Sequence, residues 1–415
     1  MGMTILGLLL RFVGGFLIAR SMGPEEFGKY STYSLYVETT RQIALLGLNV
    51  PVTRYSALYN SRGDCGAIKG MFFKYISVII ILSMIGGAIL IVFLLSATPK
   101  SLGNVSIYTL AFGVIAIMIG NIDSVRSALL AGMGFVAASK VSEQLIRPTV
   151  MLTAVGALIL LFKSISVERM VQISVLASGT GLLAGYILVY AILGKQWKAV
   201  NALYDHSQLR QSVSFIGVGI MYPLSAQVDA LILSLKVSAI EIAQFNIATL
   251  LVSVVTLPIG ILLPIVYPKF VRFIDQNNKV ALAKIVRVIA YLPLLISIPF
   301  VIMVYVYGSA LLQRVFGTEF GEAWLPLLIL SIANVVLMPL LISAQLLSAA
   351  GRAEVMVKRL PFAILLSIML NLAFIPFFGV AGAAVAMGVS QISYSAWLTY
   401  ITARELEINW LPWSA

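Results

Sequence analysis

Val78-Ile79-Ile80-Ile81-Leu82-Ser83-Met84-Ile85-Gly86-Gly87-Ala88-Ile89-Leu90-Ile91-Val92-Phe93-Leu94-Leu95 is a run of 18 residues without a charge. A helix crosses the hydrocarbon core of a bilayer with about 20 apolar residues, and an uncharged run of 18 or more reads as such a helix. The run lies inside a longer apolar segment, about 72–97, and its apolar character is continuous. Strands of a transmembrane barrel would alternate over about ten residues, so a barrel is excluded. Working outward, eleven further apolar segments are placed at 4–20, 31–53, 105–130, 144–162, 170–193, 213–235, 243–266, 285–307, 324–349, 360–378 and 381–402. The expected fold is an all-α polytopic membrane protein of about 12 transmembrane helices.

Composition agrees. Of 415 residues, 60% are hydrophobic and 11% charged, against roughly 25% charged in a soluble domain. That excludes an ordinary cytosolic enzyme and leaves residues only for short connections. The formal charge is +12. On a soluble chain this would point to nucleic acid; on a membrane chain the positive-inside rule explains it first, so no nucleic-acid partner is expected. With the N-terminus inside, 18 Lys/Arg fall on cytoplasmic connections, 7 on outer ones and 3 within spans. Both termini are therefore expected in the cytoplasm. The apolar run near the N-terminus has no cationic segment before it and continues to Ala19, so it reads as a first span rather than a cleaved leader.

Single copies of Cys65 and His206 exclude an internal disulfide and leave no ligand set for a Cys- or His-held metal. No phosphate-cradling Gly-Lys-Ser/Thr loop is present. Neither a cofactor, a metal nor an enzymatic activity is expected. The longest connection, about 194–212, falls at mid-chain and divides it into two six-helix lobes, 1–200 and 201–415. A shift of 215 positions brings Glu26-Phe27-Gly28-Lys29-Tyr30-Ser31 onto Glu241-Ile242-Ala243-Gln244-Phe245-Asn246. Each stretch lies between the first and second spans of its half, as in a parallel internal repeat.

Ionisable residues within spans are costly and so are functional candidates. Arg11, near the middle of span one, either pairs with a neighbouring carboxylate or faces a central cavity. Glu38 and Arg41 are three apart on span two and can neutralise each other on one helical face. Asp123 and Arg126 repeat that spacing on span four, where Arg126 can also snorkel. Asp229 in span seven has no cation within four residues, and needs a partner from another helix, a bound cation or a proton. Gln227, Asn246, Asn334, Gln345, Asn371 and Gln391 read as interhelical hydrogen-bond partners, and Gly181-Leu182-Leu183-Ala184-Gly185 as a close-packing signal.

The segment after span one reads Arg20-Ser21-Met22-Gly23-Pro24-Glu25-Glu26-Phe27-Gly28-Lys29-Tyr30-Ser31. It resembles the signature of the polysaccharide flippases, the O-antigen and capsule repeat-unit exporters of the multidrug/oligosaccharidyl-lipid/polysaccharide exporter superfamily. Leu46-Gly47-Leu48-Asn49 with Arg54-Tyr55, Asp229, Phe316-Gly317-Thr318-Glu319-Phe320, and Asn371-Leu372-Ala373-Phe374-Ile375-Pro376 with Gly379-Val380-Ala381-Gly382 extend the likeness over nearly the whole chain. Physically, Gly23-Pro24 ends a helix, and the two acids suit the start of the next.

The resemblance implies a V-shaped, multidrug-exporter-like fold of two six-helix lobes. It implies translocation of an isoprenoid-diphosphate-linked oligosaccharide from the cytoplasmic to the outer leaflet of a bacterial or archaeal inner membrane, with polysaccharide assembly proteins as partners. Arg11, Arg41 and Arg126 then become the candidates for substrate binding, and Glu38, Asp123 and Asp229 for ion or proton coupling. The two extra helices of the lipid II flippases are missing, which counts against that subfamily. A cation-coupled multidrug and toxin extrusion antiporter shares the expected fold, and a membrane polysaccharide polymerase would need a large external loop not found here.

Overall fold

The computed structural model describes residues 2–103, 106–161, 165–203 and 216–408. Lys163, Asp205, His206 and Arg210, placed on connections by the sequence, lie outside the described residues. All described secondary structure is helical, and among the described residues nine segments are long and apolar enough to cross a membrane. Two of these contain a glycine with non-helical backbone. Gly23 (φ 75°, ψ 168°) separates α1 (2–22) from α2 (24–45). Gly379 (φ 53°, ψ −128°) separates α14 (353–378) from α15 (380–406). Positive φ is inexpensive only for glycine, and Pro24 is suited to the first turn of α2 because its missing N–H would have no helical partner there. Glu25 and Glu26 follow in that turn, and Lys29 pairs with both.

Between these ends run α3 (Asn49–Ser61), α4 (Cys65–Ser96), α5 (Ile107–Gly132), α6 (136–161), α7 (Val167–Ala199), α8 (Ile216–Lys236), α9 (Ala239–Asp275), α10 (Lys279–Tyr291), α11 (Leu294–Phe316), α12 (Trp324–Leu337) and α13 (Ile342–Ala349). Side-chain caps begin several of them: Asp64 for α4, Ser106 for α5 and Asn278 for α10. Ser238 and Glu241 form a full capping box on α9. Three apolar segments expected to be single runs are broken. Span two, expected to reach residue 53, stops at Leu45, because Leu46 and Gly47 take positive φ (50° and 69°) before α3 restarts. Pro293 divides the ninth segment between α10 and α11. A turn at 338–341 divides the tenth between α12 and α13.

The helix surfaces show why the chain needs lipid. On α4, Tyr75, Ile79, Ser83, Gly87, Leu90 and Leu94 are buried, while Ile81, Met84, Ile85, Ile89, Val92 and Leu95 are exposed. Both faces are apolar, the mark of a helix whose outer surface is solvated by hydrocarbon. The helix interfaces are instead eased by small and polar groups. A Cβ on Gly87 would lie 2.7 Å from Val114, and Asn121 Nδ2 donates to Ser83 Oγ at 2.9 Å in full burial.

The chain forms two compact units, Met1–Gln227 and Val228–Ala415. The first is centred on Tyr55, Phe72, Tyr75, Ile79, Val125 and Leu129. The second is centred on Phe270, Val286, Ile289, Ile342 and Leu346. The division falls inside α8, whereas the sequence reading placed it at 200/201. The start of α8 packs on the break after α2: a Cβ on Gly219 would sit 2.3 Å from the Gly47 nitrogen. The two glutamates matched by the 215-residue shift both lie in the first turn of a helix. Glu26 lies in the first turn of α2 and accepts from the Val167 N–H that opens α7, at 3.0 Å. Its match Glu241 opens α9, and its Oε1 lies 3.5 Å from where a Cβ on Gly379, just before α15, would be.

Candidate functional site

A cavity of about 920 Å³ opens within the first unit, at the upper end of the range typical of ligand pockets. Its wall comes chiefly from α1, α2, α5 and α6, with Ser174 of α7 and Tyr222 of α8. Seven charged side chains line it: Arg11, Arg41, Lys140 and Arg147 against Glu38, Asp123 and Glu143. Of the residues expected from sequence, Arg11, Arg41, Glu38 and Asp123 are thus brought together. Arg126 and Asp229 are not among the lining residues.

Arg41 and Glu38 make the intrahelical pair their spacing allows. Arg41 Nε and Nη2 reach the two Glu38 carboxylate oxygens at 2.8 and 2.6 Å, and Gln42 donates to the same carboxylate at 2.6 Å. Arg41 Nη1 also reaches Ser124 Oγ on α5 at 3.2 Å. Gly120 makes this possible, because a Cβ there would lie 2.6 Å from Arg41 Cδ. The Arg41 side chain is 20% exposed and most of its donors are engaged.

Arg126, a candidate substrate-binding cation from the sequence, is fully buried. Its Nε donates to Asp123 Oδ1 at 2.7 Å, and Nη2 to the Ser139 carbonyl at 3.2 Å. Gly185 of α7 supplies the space, since a Cβ there would lie 2.4 Å from Arg126 Nε. The Gly181–Gly185 pattern therefore packs helices as expected, and one of the groups it accommodates is this arginine. Asp123 is held twice over, accepting also from Ser142 Oγ at 3.2 Å.

Arg11 is bound differently. It crosses from α1 to α6, where Nη2 donates to the Glu143 carbonyl at 3.2 Å and to Glu143 Oε1 at 3.1 Å. Both side chains are about half exposed, at 49% and 47%. Lys140 Nζ approaches the other Glu143 oxygen at 3.6 Å. The backbone explains the carbonyl contact. Helix α6 carries one π turn, Ser142–Ile146, in which the Arg147 N–H bonds the Ser142 carbonyl five residues back. In that register residue 148 would bond the Glu143 carbonyl, but residue 148 is proline and has no N–H. The Glu143 carbonyl is left for Arg11. Single π turns inside α-helices occur frequently at functional sites.

Arg147 lines the same cavity and is exposed. Among the described residues it makes no ion pair. Lys140, Glu143 and Arg147 were missed as site residues, because charge counting assigned both cations to a cytoplasmic connection. The available signal was Glu143 four residues before Arg147, followed at once by a helix-interior proline.

Asp229 lies in the second unit, 6% exposed. Ser367 Oγ and Asn371 Nδ2 of α14 donate to its Oδ1 at 2.6 and 2.5 Å. Its partners therefore come from another helix and are neutral. Asn371 is an interhelical donor as expected. Asn246 and Asn334 are corrections: each donates to a carbonyl four residues back in its own helix. Among the described residues no group of three His, Cys, Asp or Glu is arranged to hold a metal.

No curated protein is matched by the sequence. Solved structures show the fold. An inward-facing multidrug resistance MATE family transporter of the MOP superfamily superposes with a TM-score of 0.74 at 13% identity, over 97% of this chain and 94% of that one. The lipid II flippase MurJ, in an inward closed conformation, gives 0.72 at 12% identity over 96% and 86%. A MOP superfamily transporter from Pyrococcus furiosus, described as having a binding pocket of reversed polarity, gives 0.64 at 13% identity over 98% and 94%. The chain thus has the multi-pass helical fold of MOP-superfamily membrane transporters. The family model described as "Polysaccharide biosynthesis protein" matches residues 1–274, and the chain belongs to that family.

Proposed function

We propose that this protein flips an isoprenoid-diphosphate-linked oligosaccharide from the cytoplasmic to the outer leaflet of a bacterial or archaeal cytoplasmic membrane. An O-antigen or other surface polysaccharide repeat unit is the cargo, alternating access the mechanism, and both termini are cytoplasmic. The two lobes are the moving parts, and polysaccharide assembly proteins act beside them. The carrying observation is the cavity charge: four cations against three carboxylates in one 920 Å³ space. An anionic head group gains from that surplus, and a cationic drug is repelled by it. The family's description supports a role in polysaccharide synthesis, and a lipid flippase among the structural neighbours supports the direction of chemistry. Of the three carboxylates expected to couple transport to a gradient, Glu38 and Asp123 are held by arginines. Asp229, held by neutral donors, is the one that exchanges a proton or cation without breaking an ion pair.

The multidrug resistance transporters among the neighbours favour a second reading, cation-coupled drug export. The two readings separate in a deletion strain. The first predicts loss of surface glycan, with single lipid-linked repeat units accumulating on the cytoplasmic side and drug sensitivity unchanged. Normal surface glycan with increased drug sensitivity would favour the second.

A further inference from the structure

Three arginine–carboxylate pairs of the first unit differ in what they leave available. Arg126 is closed in beside Gly185 of α7 with its charge met by Asp123, and Arg41 is locked to Glu38 through both carboxylate oxygens. At α6 the balance is reversed. One carboxylate, Glu143, stands among Arg11, Lys140 and, one turn on, Arg147. Three positive charges face one negative charge in the open cavity. A sugar diphosphate lipid carries one negative charge on each phosphorus, two in all, and meets three cations once Glu143 has moved aside.

Resting on the flippase reading, we propose that Glu143 is a built-in stand-in for the substrate's phosphate. The arriving diphosphate displaces the Glu143 carboxylate from Arg11 and Lys140 and seats against these two and Arg147. Arg41, expected to bind the head group, instead holds α2 to α5. Several features support the assignment. Both partners of the Arg11–Glu143 pair are half exposed, so a displaced carboxylate stays hydrated rather than stranded. The Glu143 carbonyl keeps a second hold on Arg11, so the guanidinium does not leave the site when the carboxylate does. The π turn that creates this arrangement is accommodated on both sides. A Cβ on Gly7 of α1 would lie 2.6 Å from the Gln144 carbonyl oxygen, and one on Gly181 of α7 would lie 3.0 Å from Ser142 Oγ. The Arg147 guanidinium is planar and forked, suited to phosphate oxygens.

The test is binding of farnesyl diphosphate to the purified full chain in nanodiscs, with inorganic pyrophosphate as a second ligand. Glu143→Gln removes the competing charge and is expected to bind farnesyl diphosphate about tenfold more tightly, about 1.4 kcal/mol. A Glu143 that merely bridges α1 and α6 predicts the opposite sign, weaker binding with a lower unfolding temperature. Glu143→Asp keeps the charge and should bind like the wild type, and Arg147→Gln should bind about tenfold more weakly at an unchanged unfolding temperature. Unchanged affinity in both Glu143→Gln and Arg147→Gln, with the wild type still binding, overturns the stand-in alone. Failure of the wild type to bind farnesyl diphosphate overturns the flippase reading with it. Pyrophosphate should show the same ranking of variants at lower affinity; equal affinity for the two ligands would overturn a lipid as the source of the diphosphate.

Discussion

Arg41 on α2 and Arg11 on α1 line the same cavity and each pairs with a glutamate, yet they are differently committed. Arg41 meets Glu38 three residues away on its own helix, through two charged hydrogen bonds, at 20% exposure. Arg11 meets Glu143 across two helices, with both side chains about half exposed. Exposed ion pairs contribute only ~0–1 kcal/mol; removing one partner of a buried pair costs several times more. Exposure therefore decides whether an arginine holds the fold or is free to exchange partners. Arg126, with no exposure at all, marks the far end of the same series.

That ordering is open to attack at each step. Asp123→Ala leaves Arg126 buried without its carboxylate and is expected to cost about 3–5 kcal/mol, read as a collapse in detergent-solubilised yield and unfolding temperature. Little change would remove the distinction between closed and open pairs. Glu38→Ala strips Arg41 of two charged hydrogen bonds, and about 1.5–3 kcal/mol of destabilisation is expected, with flipping lost in proportion to folded protein. A fully stable Glu38→Ala that no longer binds substrate would return Arg41 to the binding set. Gly7→Ala pushes a methyl group against the π turn and should cost about 1–3 kcal/mol, together with head-group affinity. A stable variant of wild-type affinity would show that the turn's position is immaterial. Arg11→Gln should change stability by at most ~1 kcal/mol while reducing flipping at least tenfold, measured as surface glycan per folded protein.

Much of the fold was legible because lipid imposes a strong rule: apolar runs of the right length are helices. The breaks at Gly23 and Gly379 were legible too, since glycine marks a change of backbone direction and Pro24 cannot continue the helix before it. The break at Leu46–Gly47 was not, because the apolar run continues through it. The charged pairs were half legible. Spacing on one helix gave Glu38–Arg41 and Asp123–Arg126, but their shelter comes from Gly120 and from Gly185, the latter 59 residues beyond Arg126, and no local pattern reports that. Arg11's partner lies 132 residues away. Lys140 and Arg147 were hidden for another reason: charge counting sets orientation by treating cations near span ends as solvated, and here two of them line the cavity.

The central claim is that the open cation cluster of α1 and α6 serves an anionic lipid. Its most direct measurement is flipping of an isoprenyl-diphosphate oligosaccharide in proteoliposomes containing wild type, Arg11→Gln/Arg147→Gln or Glu143→Gln at equal folded protein. Rapid flipping by the wild type, with at least a tenfold loss in the double arginine variant despite an unchanged unfolding temperature, is the predicted result. Wild-type flipping that survives removal of both arginines would contradict it.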